Sequence, residues 1–305
     1  MDRLETLRLF GRVVELGSFT RAAAELNLPR ATASHAIQQL EARLGTRLLE
    51  RTTRHVRPTA DGQAYYQRCM AVLAELDDAE AALDPGARPR GSLRLDLHGS
   101  HATRVILPNI GDFHRRYPDI ELVISSGDRL VDLVREGIDC VVRAGQLRDS
   151  SLVARRLTVL PEVICASPEY LREHGVPRHP DELAQHHAVG FFASQEDRAY
   201  PFELIVDGEV RSYQPGGWMR VNDAECYVAC ALQGCGLVQL PRFRVEEQLR
   251  SGVLVQVLAD WPAPGLPVSV LYPQHRQLSP RVRVFVDWVV EIYAARFGPL
   301  APHTL

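Results

Sequence analysis

Two groups of residues in this chain have the types and spacing for recognition chemistry. Arg30, Thr32, Ser34, His35 and Gln38 fall on the leading end and one side of a predicted helix, with Arg51 and Arg54 soon after. Hydroxyl, amide and guanidinium groups set out in this way meet the donor and acceptor edges of bases, and further guanidiniums meet phosphates. The second group is Ser100, His101, Ser126, Arg143 and Asn222, each beside the end of a predicted strand or the start of a helix. Unpaired N–H groups gather at such places, and an arginine there can pair with a ligand carboxylate. Ser100, Ser126 and Asn222 read equally as helix caps, His101 as a satisfied surface residue and Arg143 as half of a structural salt bridge.

Residue type excludes several other chemistries. The chain has no lysine, which removes Schiff-base, pyridoxal-phosphate and Walker-type nucleotide chemistry. No G-x-S-x-G elbow or metal-type histidine spacing accompanies Ser100 and His101. The adjacent His186 and His187 point in different directions from a helix or strand, so loop exposure is expected rather than shared metal ligation. Cys226, Cys230 and Cys235 have a spacing that would suit a redox or metal site, but Val228, Ala229, Ala231 and Leu232 accompany them and buried free thiols are expected. Six sparse cysteines, these and Cys69, Cys140 and Cys165, suit a reducing compartment. No enzyme activity, metal or cofactor is expected. Residues 1–5 place acids where an export signal has a basic end, and no apolar run reaches spanning length, so a cytoplasmic protein without membrane contact is expected.

Charge is divided unevenly: residues 1–58 carry ten Arg against six acids and the remainder 25 against 32, about +4 and −7. A basic head on an acidic body puts cations where a duplex would lie. Leu4, Leu7, Phe10, Val13 and Val14 recur at helical spacing and predict a helix over 3–16 that ends near Gly17. Thr20 is the expected cap of a short helix over 21–26, whose alanines admit a close neighbour. Asn27, Leu28 and Pro29 turn the chain into a third helix over 30–44, with Ala33, Ile37, Leu40 and Leu44 buried and the polar group opposite. A short helix, a tight turn and a longer helix with a polar leading face are helix-turn-helix geometry, whose second helix enters the major groove. Residues 48–51 and 55–57 read as two short strands of a wing that carries Arg51 and Arg54 to phosphates or the minor groove.

Thr59 is the expected cap of a long helix to about Leu83, with Cys69, Leu73, Leu76, Ala79 or Glu80, and Leu83 forming a three-four seam. Residues 84–91, rich in Pro and Gly, break it, which places the helix between domains. Beyond Ser92 strands and helices alternate: Leu93, Leu95 and Leu97 mark a strand, 102–116 a helix, 120–124 a strand and 129–136 a helix. A second such set begins near Glu162, and 268–271 with a helix over 280–296 return to the first. Two lobes with two crossings are expected.

In chain order, Ser18-Phe19-Thr20, Ala22-Ala23, Ser34, Ile37, Leu40-Glu41, Leu44-Gly45, Leu48-Leu49, Arg51, Arg54 and Thr59-x-x-Gly62 resemble the LysR-type transcriptional regulators. Pro29, Arg30 and His35 depart from the residues commoner there, which bears on the operator sequence and not on DNA binding. The stretches 116–120, 132–139, 165–168 and 234–241 resemble the effector domain of the same family, so the resemblance covers nearly the whole chain. It implies an α+β two-part chain: a winged helix-turn-helix over 1–58, a linker and dimerisation helix with hinge over 59–91, and a two-lobed α/β effector domain over 92–300 built like periplasmic binding proteins. Lobe one takes about 92–161 and 268–300, lobe two about 162–267. The implied partners are double-stranded promoter DNA, a small-molecule effector, and further copies of the chain in a homodimer or homotetramer, with RNA polymerase as an additional candidate.

Overall fold

The computed structural model describes residues 1–51, 56–81, 88–127, 133–145, 152–192, 198–274 and 279–300. The head opens with α1 (Arg3–Leu16), whose Asp2 and Glu5 form a reciprocal capping box and whose end is closed by Gly17 in the left-handed region, at φ 58°. α2 (Phe19–Glu25) is capped by Ser18, whose hydroxyl accepts the Arg21 N–H at 3.3 Å. The expected cap, Thr20, is therefore inside the helix, because the extended backbone that a cap requires falls two residues earlier, at Ser18. Asn27, at φ 53°, makes the turn, a conformation that its short side chain tolerates. α3 (Arg30–Leu44) starts after Pro29 without a side-chain cap. Its buried stripe is Ala33, Ala36, Ile37 and Leu40. Leu44, expected inside, is 39% exposed, since Gly45 ends the helix before that position meets the core.

Glu41 joins α3 to the wing: its Oε1 accepts the N–H groups of Leu48 and Leu49 at 2.9 and 3.1 Å. β1 (Leu49–Arg51) and β2 (Val56–Pro58) pair antiparallel, and α4 (Ala60–Ala81) follows. Thr59 caps α4 as expected, accepting the Gly62 N–H at 2.9 Å while donating to the Arg47 carbonyl at 2.8 Å. The seam is partly used inside the chain, because Cys69 and Leu73 pack on Leu7 of α1. Leu83 lies outside the described residues.

After the linker come β3 (Gly91–Leu97), α5 (Gly99–His101), a π-turn over Ala102–Ile106, a 3-10 turn over Leu107–Asn109, α6 (Ile110–Arg116), β4 (Ile120–Ser126), α7 (Leu133–Glu136), β5 (Cys140–Ala144) and β6 (Leu152–Leu160). The helix expected over 102–116 is thus longer and broken, and the break falls at Pro108, which has no N–H to continue the ladder. The chain then builds β7 (Glu162–Ala166), α8 (Pro168–His174), β8 (Gly190–Phe191), β9 (Phe202–Val206), β10 (Glu209–Tyr213), β11 (Arg220–Val221), α9 (Ala224–Leu232), β12 (Val238–Pro241), α10 (Glu246–Ser251) and β13 (Val255–Val257). It closes with β14 (Leu266–Pro273) and α11 (Pro280–Phe297).

Among the described residues, one sheet has the order β4-β3-β5-β14-β6, with β3 parallel to β4 and β5, and β14 antiparallel to β5 and β6. A second has the order β12-β7-β13, all antiparallel neighbours, beside the β9-β10 hairpin and the short β8-β11 pair. The first sheet buries Leu93, Leu95, Val142 and Val270 against Phe113, Phe285 and Trp288. The second has its own apolar clusters, one around Tyr170 and Phe202 and one around Tyr227 and Val238. The chain crosses between the sheets at Pro161, between β6 and β7, and returns into β14 at Leu266. Among the described residues no helix is long and apolar enough to cross a membrane.

Candidate functional site

The head presents one polar face. On α3, Arg30, Thr32, His35 and Gln38 are exposed and Ser34 is half-buried, opposite the stripe that holds the helix on α1 and α2. Four of the five residues singled out from the sequence are therefore open to solvent, as a groove-reading helix requires, and Ser34 lies at the border of the buried stripe. Arg51 ends β1 next to Val56. Its side chain, and the whole of Arg54, lie outside the described residues.

Between the two sheets lies a cleft of about 600 Å³, lined from both sides. The first sheet contributes His98, Ser100 and His101 beyond the end of β3, and Arg143 at the end of β5. The second contributes Glu162 at the start of β7, Glu203 on β9, Tyr227 on α9 and Arg244 after β12. Strand ends facing helix starts are where α/β sheets hold ligands. Of the five residues proposed from sequence, Ser100, His101 and Arg143 line the cleft. Ser126 and Asn222 are exposed and do not line it. The cap of α9 is Asp223, which accepts the Cys226 N–H at 2.8 Å.

His101 is buried, not superficial, and its Nδ1 lies 2.8 Å from the Tyr293 hydroxyl of α11. The Arg143 guanidinium forms a buried ion pair with Asp96 and donates to the Gly127 carbonyl at 3.1 Å. Asp96 also accepts the Ser125 hydroxyl at 2.7 Å. Ser100 is 1% exposed and its hydroxyl has no hydrogen-bond partner among the described residues. Glu162, His98, Glu203, Asp96 and Arg244 were not anticipated. Asp96 reads in the sequence as the solvent side of an alternating strand, but β3 lies between β4 and β5 and its last three residues, Leu95 to Leu97, are buried on both faces.

Burial fixes the charge states here. His98 is pushed down to about 3 by burial and by the facing Arg244 and Arg143. His101 is held well below its usual value by burial, His98 and Arg244. Both imidazoles are neutral at pH 7. Burial, with Glu203 nearby, pushes Glu162 up to about 7 against the pull of Arg244. Since the folded-state pKa of His98 lies below its unfolded value, the stability tied to its neutral form is present at high pH and is lost as pH falls from about 6.5 towards 3. Glu162 acts in the opposite sense between about 4.5 and 7. His98→Asn should therefore remove an acid loss of about 2 kcal/mol at pH 5. The check is the shift in urea midpoint between pH 7.5 and 5 in both proteins; an equal shift would show that His98 does not titrate in this way.

The other sequence candidates resolve differently. His186 is buried with its Nδ1 3.2 Å from the Tyr170 hydroxyl, contrary to the expected exposure, because that hydroxyl gives it a partner inside. His187 is exposed as expected. All six cysteines are free thiols. Cys69, Cys140 and Cys165 are buried, Cys230 and Cys235 are partly so, and Cys226 is exposed because it lies in the outward-facing first turn of α9. Burial pushes the Cys230 thiol up, with Cys235 adding to the effect.

Residues 4–63 match the family described as bacterial regulatory helix-turn-helix protein, lysR family, and residues 86–294 match the LysR substrate binding domain. The chain is 40% identical over 293 residues to the uncharacterized HTH-type transcriptional regulator YhjC of Escherichia coli K12, covering 96% of this chain and 98% of the relative. It is 41% identical over 295 residues to an HTH-type transcriptional repressor of Pseudomonas aeruginosa, covering 96% and 93%. Among solved structures, CrgA of Neisseria meningitidis, a LysR-type transcriptional regulator, matches with a TM-score of 0.60 and 33% identity over 95% of this chain and 98% of that one. The full-length virulence activator AphB of Vibrio cholerae matches with a TM-score of 0.56 and 30% identity over 96% and 100%.

Proposed function

This chain belongs to the LysR family of helix-turn-helix transcriptional regulators, and on that premise we propose that α3 reads promoter DNA under the control of a small molecule held between the two sheets. The observation that carries the reading is the joint presence of a polar, outward-facing α3 and a cleft lined from both lobes. Arg30, Thr32, Ser34, His35 and Gln38 take the base and phosphate contacts, and Arg51 and Arg54 add contacts to phosphates or the minor groove. Ser100, His101 and Arg143 belong to the effector cleft, where Arg143 shapes the wall through Asp96 and does not serve as a free counter-ion. Self-association through α4 and the effector domain holds two or four heads at the spacing of an interrupted palindrome, and contact with RNA polymerase transmits the outcome.

A physical route for control runs through Tyr66 of α4. Its hydroxyl donates to Glu15 of α1 at 2.8 Å, and the Arg94 guanidinium of β3 approaches it at 3.5 Å. Nearby, Asp139 accepts the Arg94 N–H at 2.9 Å and leads into β5, whose Val141 and Arg143 line the cleft. A ligand that favours one arrangement of β5 thereby biases the seat of the head, provided that it binds that arrangement more tightly.

The test is fluorescence anisotropy with the DNA upstream of the protein's own gene, at two salt concentrations. His35→Ala with Gln38→Ala should weaken specific binding by about 10²-fold, at about 1–3 kcal/mol per base contact, while leaving weak, salt-sensitive binding to unrelated DNA. Unchanged specific affinity would remove α3 from the role of reader.

A further inference from the structure

Resting on the reading of the cleft as the effector site, we infer that this site selects a molecule without net negative charge: an uncharged, ring-sized compound with an apolar body and one hydrogen-bonding end. The first ground is the charge of the wall. Of its two guanidiniums, Arg143 is paired with Asp96, and Arg244 shares the wall with the Glu162 carboxyl and lies in the field of Glu162 and Asp223. Both lining imidazoles are neutral at neutral pH. Glu203 then adds a negative charge at the rim. A ligand carboxylate that enters such a site loses its hydration and meets no surplus of cations in return, an unfavourable exchange.

The second ground is what the wall does offer. Ser100 is 1% exposed and lines the cleft, and its hydroxyl has no hydrogen-bond partner among the described residues, so a ligand carbonyl, ether or hydroxyl would satisfy a group that otherwise carries a desolvation cost. Around it, Leu133, Val141, Phe191, Phe202, Leu240 and Leu271 supply an apolar enclosure, and about 600 Å³ holds one or two fused rings with substituents.

A matched pair of fluorescent probes tests this on the full chain. N-phenylnaphthylamine is uncharged, and anilinonaphthalene sulfonate has the same ring body with one negative charge. At about pH 8, above the value of about 7 to which Glu162 is raised, the uncharged probe should bind at least about tenfold tighter. Ala144→Phe, which fills the cleft from the end of β5, should abolish that binding; Leu152→Trp serves the same end if the first variant does not fold. Glu162→Gln with Glu203→Gln should narrow the gap to about threefold or less by raising the affinity of the sulfonate. A sulfonate that binds as tightly as the uncharged probe, both being lost in Ala144→Phe, would overturn the ligand class and leave the cleft standing as a ligand site. A gap that survives the double amide substitution unchanged would also overturn it, because such a gap reports the hydrophobicity of the probe alone. Binding of neither probe in a manner sensitive to Ala144→Phe would overturn both this inference and the small-molecule reading.

Discussion

Asp96→Ala is expected to destabilise the two-lobed domain by about 3–5 kcal/mol, because it removes the Asp96 carboxylate from beside the buried Arg143 guanidinium. Arg143 is 9% exposed and would keep its hydrogen bond to the Gly127 carbonyl at 3.1 Å, while the Ser125 hydroxyl would lose one of its acceptors. A loss of that size is a large share of the 5–15 kcal/mol that holds a typical domain. The partner substitution separates lost pairing from lost packing: Asp96→Leu with Arg143→Met should recover most of the stability, since an apolar pair of similar volume removes both desolvation costs. Urea denaturation of the single and double variants measures this directly. If Asp96→Ala costs less than about 1 kcal/mol, the guanidinium reaches solvent in solution and can serve as a ligand counter-ion, the role open to it from sequence alone.

The second large effect falls on the head. A Cβ added at Gly62 would stand 1.9 Å from the Leu48 carbonyl oxygen and 2.8 Å from its carbon. Both atoms are backbone, and Leu48 is fixed by Glu41 at its N–H and by Thr59, whose N–H donates to that same carbonyl at 2.9 Å. Gly62→Ala should therefore cost about 3 kcal/mol or more, the upper range for overpacking where nothing can yield. A unit the size of the head has only a few kcal/mol to lose. The expected result is a split phenotype, in which DNA binding and the protection of α1 to α3 in hydrogen exchange collapse while β3, β5 and β14 exchange as in the wild type. Uniform loss of protection across the chain would show instead that head and effector domain fold as one unit, and would count against the two-part division.

The Thr59-x-x-Gly62 pattern was visible in the sequence, but the structure gives it a reason: Thr59 caps α4 and Gly62 lets the first turn of that helix lie against the wing. Much else in the head was legible in the same way. The apolar spacing of α1 and α3, the stop at Gly17, the Asn27 turn and the polar leading face of α3 all depend on residues within about four positions of one another, the range over which helix rules operate. The misplaced cap at Thr20 and the exposed Leu44 are errors of a few residues at element ends, where competing local hydrogen bonds and the reach of the core decide.

The cleft was legible in kind but not in membership. The division of charge and the alternation of strands and helices determined a two-lobed α/β body on a basic helical head, the absence of lysine removed several enzyme chemistries, and local motif pointed to Ser100, His101 and Arg143. Tertiary structure alone decided that Arg143 meets Asp96, 47 residues away, that His101 meets Tyr293 across 192 residues, and that Glu162 and Arg244 face them from the other lobe. Ser126 and Asn222 carried the same local signal as Ser100 and yet stand outside. The physical reason is one of range: periodicity and capping are set by a few neighbours along the chain, whereas the charge balance of a site is set by which strand ends the crossings at Pro161 and Leu266 bring together, and no local pattern records that.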